Sequence, residues 1–242
     1  MYMSFKARAA GLDLTADETV SLAAGSGFRG VDLLVRDLVE AGTDLRTLRR
    51  RMDDLGLPGG AFPLPVHWRE GAKEFAHDLA LLPRYAAAAE ALGRRRTGTW
   101  VMPETREPGH GGDSGVLKET VALHVERLGR IARVLDAAGI RLGLEVIGVA
   151  SSRTGRGRPF VHPMTDLGRV LGGVWSEAPN LGLVVDAFHL YAARESIEAG
   201  LAWGVERVVW VHVADLPASA AANREVIRDS DRGLPGENGA LV

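Results

Sequence analysis

Short apolar runs of β-type residues alternate along this chain with longer stretches of helical periodicity, and that alternation limits the fold more than any other feature. The runs read as strands fall at 4–12, 29–35, 59–66, 98–102, 141–147, 182–186 and 207–213. Helical patterns start at Thr15 and cover 43–55, 72–92, 116–138, 165–174 and 190–202. Thr15 and Glu18 have the spacing of a capping box, and Gly56, Gly93 and Gly139 stand where helices should stop. Strand follows strand at roughly 30 residues, the size of a βαβ unit. The segments RLGLEVI, GLVVD and RVVWVHV are nearly continuous apolar runs, which suits parallel strands buried on both faces. One α/β domain over 1–242 is therefore expected, either a closed (β/α)₈ barrel or an open doubly wound sheet. A dinucleotide-binding open sheet wants its glycine fingerprint after an early strand. Gly25, Gly27 and Gly30 precede a strand instead.

Residues 214–242 are rich in polar, Gly and Pro positions, and no eighth strand is expected among them. The expected barrel is thus incomplete at its C-terminal end. Composition excludes several function classes. With 46% hydrophobic and 25% charged residues the chain has the makeup of a globular domain. A net charge of −2 supplies no basic field for nucleic acid or anionic membrane. Without cysteine there is no thiolate metal site and no thiol nucleophile, so any metal must be held by His, Asp, Glu or water. The N-terminus has no apolar signal core, and no run approaches the roughly 18 apolar residues of a membrane span. These readings predict a soluble, cytoplasmic protein that needs neither nucleic acid nor membrane and has scope to form a homo-oligomer.

Ligand-type residues gather at the C-terminal ends of the last three strands, the end that carries chemistry in a parallel barrel. Glu145 closes one strand, Asp186 the next, with His189 just beyond, and His212 the third, with Asp215 beyond. An unpaired buried carboxylate costs several kcal/mol in principle, so an Asp after Leu-Val-Val needs a partner. A structural ion-pair network is one answer. The repetition on three adjacent strands favours the other, a site for Mg²⁺, Mn²⁺, Co²⁺ or Zn²⁺.

LEVIG (144–148), VVDAFHLY (184–191), VHVAD (211–215) and DRGLPGENG (231–239) resemble signatures of the xylose isomerase-like TIM barrels. That superfamily includes sugar isomerases, ketose 3-epimerases, inosose dehydratase and endonuclease IV. GFRGVDLLV (27–35) resembles its second strand. The resemblance implies Glu145, Asp186 and His212 as metal ligands, with Glu145 also an acid/base. It implies a contact of His189 with substrate oxygen, and Arg232 holding a substrate hydroxyl or phosphate. It further implies a last helix and an eighth strand bearing one more carboxylate, which this sequence does not show. Glu237 lies in the P-G-E segment and is no obvious substitute. The activity implied is metal-dependent isomerisation or epimerisation of a small polyhydroxy carbonyl compound, a sugar or sugar phosphate, through an enediolate. Inosose-type dehydration uses the same enolate chemistry. A barrel without turnover is a reading from another class, and endonuclease IV-like phosphodiester cleavage is disfavoured because the second strand ends in Val35-Arg36 without a histidine.

Among the remaining polar residues, His67 in PVHWRE is expected to contact substrate. Glu70 and Glu104 are lesser candidates, and Trp68 and Trp100 are more in keeping with packing. His77 and His124 are expected at helix surfaces, the run 94–96 in a solvated turn, His110 in a loop, and His162 in a structural or lid role.

Overall fold

The computed structural model describes residues 1–106, 112–218 and 223–237, without the side chains of 112 and 113. Its helices are α1 (Ala16–Gly25), α2 (Val35–Glu40), α3 (Leu45–Asp54), α4 (Ala72–Ala91), α5 (Gly112–Asp136), α6 (Gly168–Leu171), α7 (Ala187–Ala192) and α8 (Ile197–Leu201). Its strands are β1 (Phe62–Pro63), β2 (Arg96–Trp100), β3 (Arg141–Glu145), β4 (Leu181–Asp186) and β5 (Val208–His212), in the sheet order β1-β2-β3-β4-β5. Each sheet neighbour is the next strand in sequence, the arrangement that repeated βα units produce. By contacts the chain divides into two units. The first is Met1–Gly98 with Ile131–Leu142, and the second is Thr99–Arg130 with Gly143–Val242.

In the first unit, Thr15 caps α1 through the predicted box, its side chain accepting the Glu18 N–H while Glu18 reaches back to the Thr15 N–H. Asp44 caps α3 by accepting the N–H groups of Arg46 and Thr47. The core joins Phe5, Val20, Val31, Leu48, Met52 and Leu92. The two N-terminal strands expected at 4–12 and 29–35 reduce to single parallel bridges, Phe5 to Val31 and Val31 to Gly59. The third shrinks to β1, paired in parallel with β2 through Phe62↔Thr97. Pro58, Pro63 and Pro65 punctuate this stretch, and proline cannot donate to a ladder. Arg94 adds side-chain hydrogen bonds to this stretch. It is fully buried, not in a solvated turn, and donates to the carbonyls of Val31 (2.8 Å) and Ala61 (3.2 Å).

In the second unit, β4 and β5 pair in parallel from Leu183↔Val208 to Asp186↔His212. β4 is buried along its whole length. The helix expected over 190–202 is two helices, α7 and α8, because Arg194 takes a left-handed backbone (φ 63°) after α7. The helix expected over 165–174 divides into a 3₁₀ segment, Met164–Leu167, and the short α6, with turns after it. His124 is fully buried, not on a surface. Its Nδ1 lies 2.7 Å from the Thr120 carbonyl, its Nε2 accepts the Met102 N–H at 3.4 Å, and its ring packs on Phe160. A histidine on the buried face of a long helix reads like a surface one when its partners are backbone groups far off in sequence. His110 lies outside the described residues.

Candidate metal centre

Three consecutive strands deliver the site. The Asp186↔His212 register sets those two residues side by side at the ends of β4 and β5. Gly143 lets β3 lie close, since a Cβ there would come within 2.8 Å of Val184 Cγ2, and Glu145 follows two residues on. A Cβ at Gly148 would collide with the His189 carbonyl, so glycine is what allows the segment after β3 to press against α7.

His212 Nδ1 lies 2.8 Å from Glu145 Oε1 and 3.2 Å from Asp186 Oδ2. Asp186 is 2% exposed and caps α7, with Oδ1 accepting the N–H groups of Phe188 (2.9 Å) and His189 (3.2 Å). Arg232 closes the other side. Its NH1 is 3.0 Å from Asp186 Oδ2, its NH2 3.0 Å from His189 Nε2, and its Nε donates to Asp229 Oδ1 at 2.8 Å. The guanidinium carbon sits 4.4 Å from the centre of the Phe188 ring.

The electrostatics follow from this packing. Burial disfavours the charged form of His212, but the hydrogen bonds to Asp186 and Glu145 outweigh it and lift the imidazole to about 9. Burial also works against the Asp186 charge, yet the His212 hydrogen bond and the positive charge of Arg232 hold its carboxyl far below the usual range. Burial pushes His189 down, assisted by Arg232 and opposed by Asp186.

The donor set fits a divalent cation. Metal bonds of about 2.0–2.2 Å place neighbouring ligand atoms roughly 3 Å apart, the separation of His212 Nδ1 from both carboxylates. What lies between those atoms is a proton, and a metal ion would displace it. His212 Nε2 and His189 Nδ1 are buried without a hydrogen-bond partner among the described residues. Glu145, Asp186 and His189 also form a group whose ligand atoms lie within 4.8 Å of one another.

Of the residues singled out by sequence, Glu145, Asp186, His189, His212 and Arg232 meet here. His67 belongs to the first unit. Its Nδ1 is 2.7 Å from Asp78 Oδ2, and that carboxylate also accepts the His67 backbone N–H and faces Arg36. Glu104 holds a loop, accepting from Thr154 Oγ1 and the Gly155 N–H. Trp68 is fully buried, Trp100 is exposed, and Glu70 lies at the surface. Glu237 closes its own turn on the Leu234 N–H. Asp215 is buried and turns the chain by accepting the Leu216 N–H, while its backbone pairs with Gly233. Sequence reasoning missed Asp229 and Phe188, which fix Arg232. The D-x-x-R spacing of Asp229 and Arg232 was the available signal.

The chain belongs to the xylose isomerase-like TIM barrel family, whose description it matches over residues 20–242. Among solved structures it is similar to a xylose isomerase domain protein from Alicyclobacillus acidocaldarius subsp. acidocaldarius. That protein is 28% identical with a TM-score of 0.78, over 94% of this chain and 77% of that one. It is also similar to the IolI protein with a bound zinc atom, at 17% identity and TM-score 0.76, covering 99% of this chain and 81% of that one. A third similar structure is the 3-keto-D-glucoside 4-epimerase from E. coli, at 15% identity and TM-score 0.67, over 90% and 81%. The last two likenesses speak to the fold. No curated protein matches the chain. Among the described residues no helix is long and apolar enough to cross a membrane.

Proposed function

We propose that this protein is a metal-dependent isomerase or epimerase of a small sugar or sugar phosphate, acting by proton transfer next to a carbonyl. The observation that carries the reading is the meeting of Glu145, Asp186 and His212 within 2.8 and 3.2 Å at the ends of β3, β4 and β5. Two solved neighbours in the same fold, the zinc-bound IolI protein and the 3-keto-D-glucoside 4-epimerase, agree with it. Glu145, Asp186 and His212 hold the metal. When bound, a divalent ion polarises a carbonyl and its neighbouring hydroxyl and makes the adjacent C–H acidic.

The remaining work falls to side chains. A Glu145 carboxylate oxygen takes the proton from carbon. The C–H electron pair becomes the C=C bond of an enediolate, and return of the proton to another carbon or the other face gives product. Arg232 holds a hydroxyl or phosphate oxygen. Its guanidinium has five N–H bonds, and three are engaged by Asp229, Asp186 and His189. His189, neutral at Nε2, lies against the same substrate edge. Dehydration of a polyhydroxy ketone would use the same proton abstraction, and a likeness to a probable 3-DHS dehydratase keeps that variant within the reading.

The test is incubation with Mn²⁺, Co²⁺, Mg²⁺ or Zn²⁺ and a panel of ketoses and ketose phosphates in D₂O. Metal-dependent incorporation of deuterium next to the carbonyl is expected. Full retention of every carbon-bound proton across the panel would overturn the reading.

A further inference from the structure

Two sets of ligand atoms share Glu145 and Asp186 here, one completed by His212 and the other by His189. Arg232 decides between them. A guanidinium only donates and keeps its charge, so the 3.0 Å contact from NH2 consumes the lone pair of His189 Nε2. The other ring nitrogen of His189, Nδ1, is buried without a hydrogen-bond partner among the described residues, and in a neutral ring whose Nε2 accepts, Nδ1 is the nitrogen that carries the proton. His189 therefore has no lone pair to offer a metal while Arg232 stays in place.

Several features keep it there. Asp229 Oδ1 accepts from Arg232 Nε at 2.8 Å on the far side, and the Phe188 ring lies beneath the guanidinium. The next residue, Gly233, is tied by two backbone hydrogen bonds to Asp215, at 3.0 and 2.9 Å. The fixed guanidinium also lies 3.0 Å from Asp186 Oδ2, the atom that faces His212. A full positive charge is thus held against one of the metal-binding carboxylates, in a pocket where Asp186 is almost completely buried.

We propose that Arg232 is a resident counter-cation of this site, which bars His189 from the metal and weakens divalent-ion binding at Glu145, Asp186 and His212. The inference rests on the metal reading of the site. Like charges a few ångströms apart repel more strongly in a largely buried site than in open water, so a divalent ion entering beside Asp186 binds against that repulsion. Asp229 is a positioning residue for Arg232 and offsets part of the charge from a solvent-exposed place.

The experiment measures Mn²⁺ affinity by titration calorimetry, and the absorption spectrum of the Co²⁺ form, for the parent, Arg232→Met and Arg232→Lys. Arg232→Met should bind Mn²⁺ about tenfold or more tightly. Its Co²⁺ spectrum should change, because His189 is released to ligate. Adding His189→Ala should then restore the parental spectrum. Arg232→Lys keeps a positive charge in the site, so its gain in Mn²⁺ affinity should be small, about threefold at most. Arg232→Gln, which retains polar contacts to the same neighbours, carries the test if Arg232→Met does not fold. Equal or weaker Mn²⁺ binding in the uncharged variants, with binding intact in the parent, overturns this inference alone. Absence of Mn²⁺ binding in the parent and all variants overturns it together with the metal reading.

Discussion

Asp78 in the first unit and Asp186 in the second are both buried carboxylates set beside a histidine and an arginine, and they serve different ends. Asp78 accepts the backbone N–H of His67 and its ring Nδ1, and Arg36, which faces it, donates onward to the Pro65 carbonyl at 2.7 Å. That cluster runs out into the backbone and secures the segment after β1. Asp186 bonds to backbone as the cap of α7, but its outer oxygen faces His212 and Arg232, side chains from β5 and from the segment after it. A buried unpartnered atom does not by itself separate the two clusters, since Arg36 Nε is also without a hydrogen bond. The kind of atom does. Guanidinium nitrogens only donate, whereas the ring of His212, unpartnered at Nε2, can offer a lone pair at Nδ1 once its proton is displaced. Two carboxylates from separate strands meeting at one imidazole suit a cation, whereas a single carboxylate tied to a histidine and the backbone of its own loop makes a clamp.

The largest expected effect comes from removing the outer charge of the second cluster. Asp186→Asn keeps the shape and most of the capping role but cannot serve as an anionic ligand. It should lose retained metal by more than about 100-fold, beyond the usual cost of a supporting residue, as read by metal analysis after dialysis. Metal held as tightly as in the parent would reduce this cluster to an ion-pair network. Next in size is His189→Ala. It should leave metal content intact while lowering turnover by about 10²–10⁴-fold, the range of a lost proton-transfer or substrate-orienting group. Loss of metal in that variant would reassign His189 as a ligand.

The clamp should show itself in stability instead. The Asp78 carboxyl is held below the ordinary range: burial raises it, but the hydrogen bonds from the His67 backbone and ring and the charge of Arg36 outweigh that. A depressed carboxylate stabilises the fold fully above its unfolded value near 4 and loses that contribution as pH falls through the folded value. Asp78→Asn should therefore cost about 1–2 kcal/mol at neutral pH and nearly nothing in strong acid, measured by urea unfolding across pH. A cost independent of pH would show that the charge of Asp78 is irrelevant to folding.

How far this contrast could be read in the sequence depended on where the partners lie. The strands β2 to β5 were legible, as were Glu145, Asp186 and His212 at the ends of the last three, because apolar runs and the polar residues that close them are local signals. The site's convergence followed from parallel topology, which turns consecutive strand ends into neighbours. The N-terminal strands were overread. Their backbone hydrogen bonds are few, and the buried Arg94 donates to the carbonyls of Ala61 and Val31, the latter also accepting the Gly60 N–H. That role of Arg94 is invisible to periodicity, as is the burial of His124. The holding of Arg232 by Asp229 and Phe188 was also hidden, since it depends on Asp215 and Gly233 drawing a polar loop back toward β5.

The smallest effect, and the sharpest comparison, concerns His67. Its side chain is 61% exposed, so its contact with Asp78 adds little to folding. His67→Ala should shift the melting temperature by no more than a degree or two, and metal content should match the parent, since no ligand of the second cluster is touched. If the exposed ring meets substrate, as the sequence reading holds, KM should rise several-fold with kcat nearly unchanged, the pattern of a group that binds ground and transition states alike. Equal KM values for parent and variant would remove His67 from the substrate site and leave the Asp78 cluster as a clamp alone. A fall in kcat at constant KM would instead give the first unit a share in the chemistry and end the division of labour between the two carboxylates.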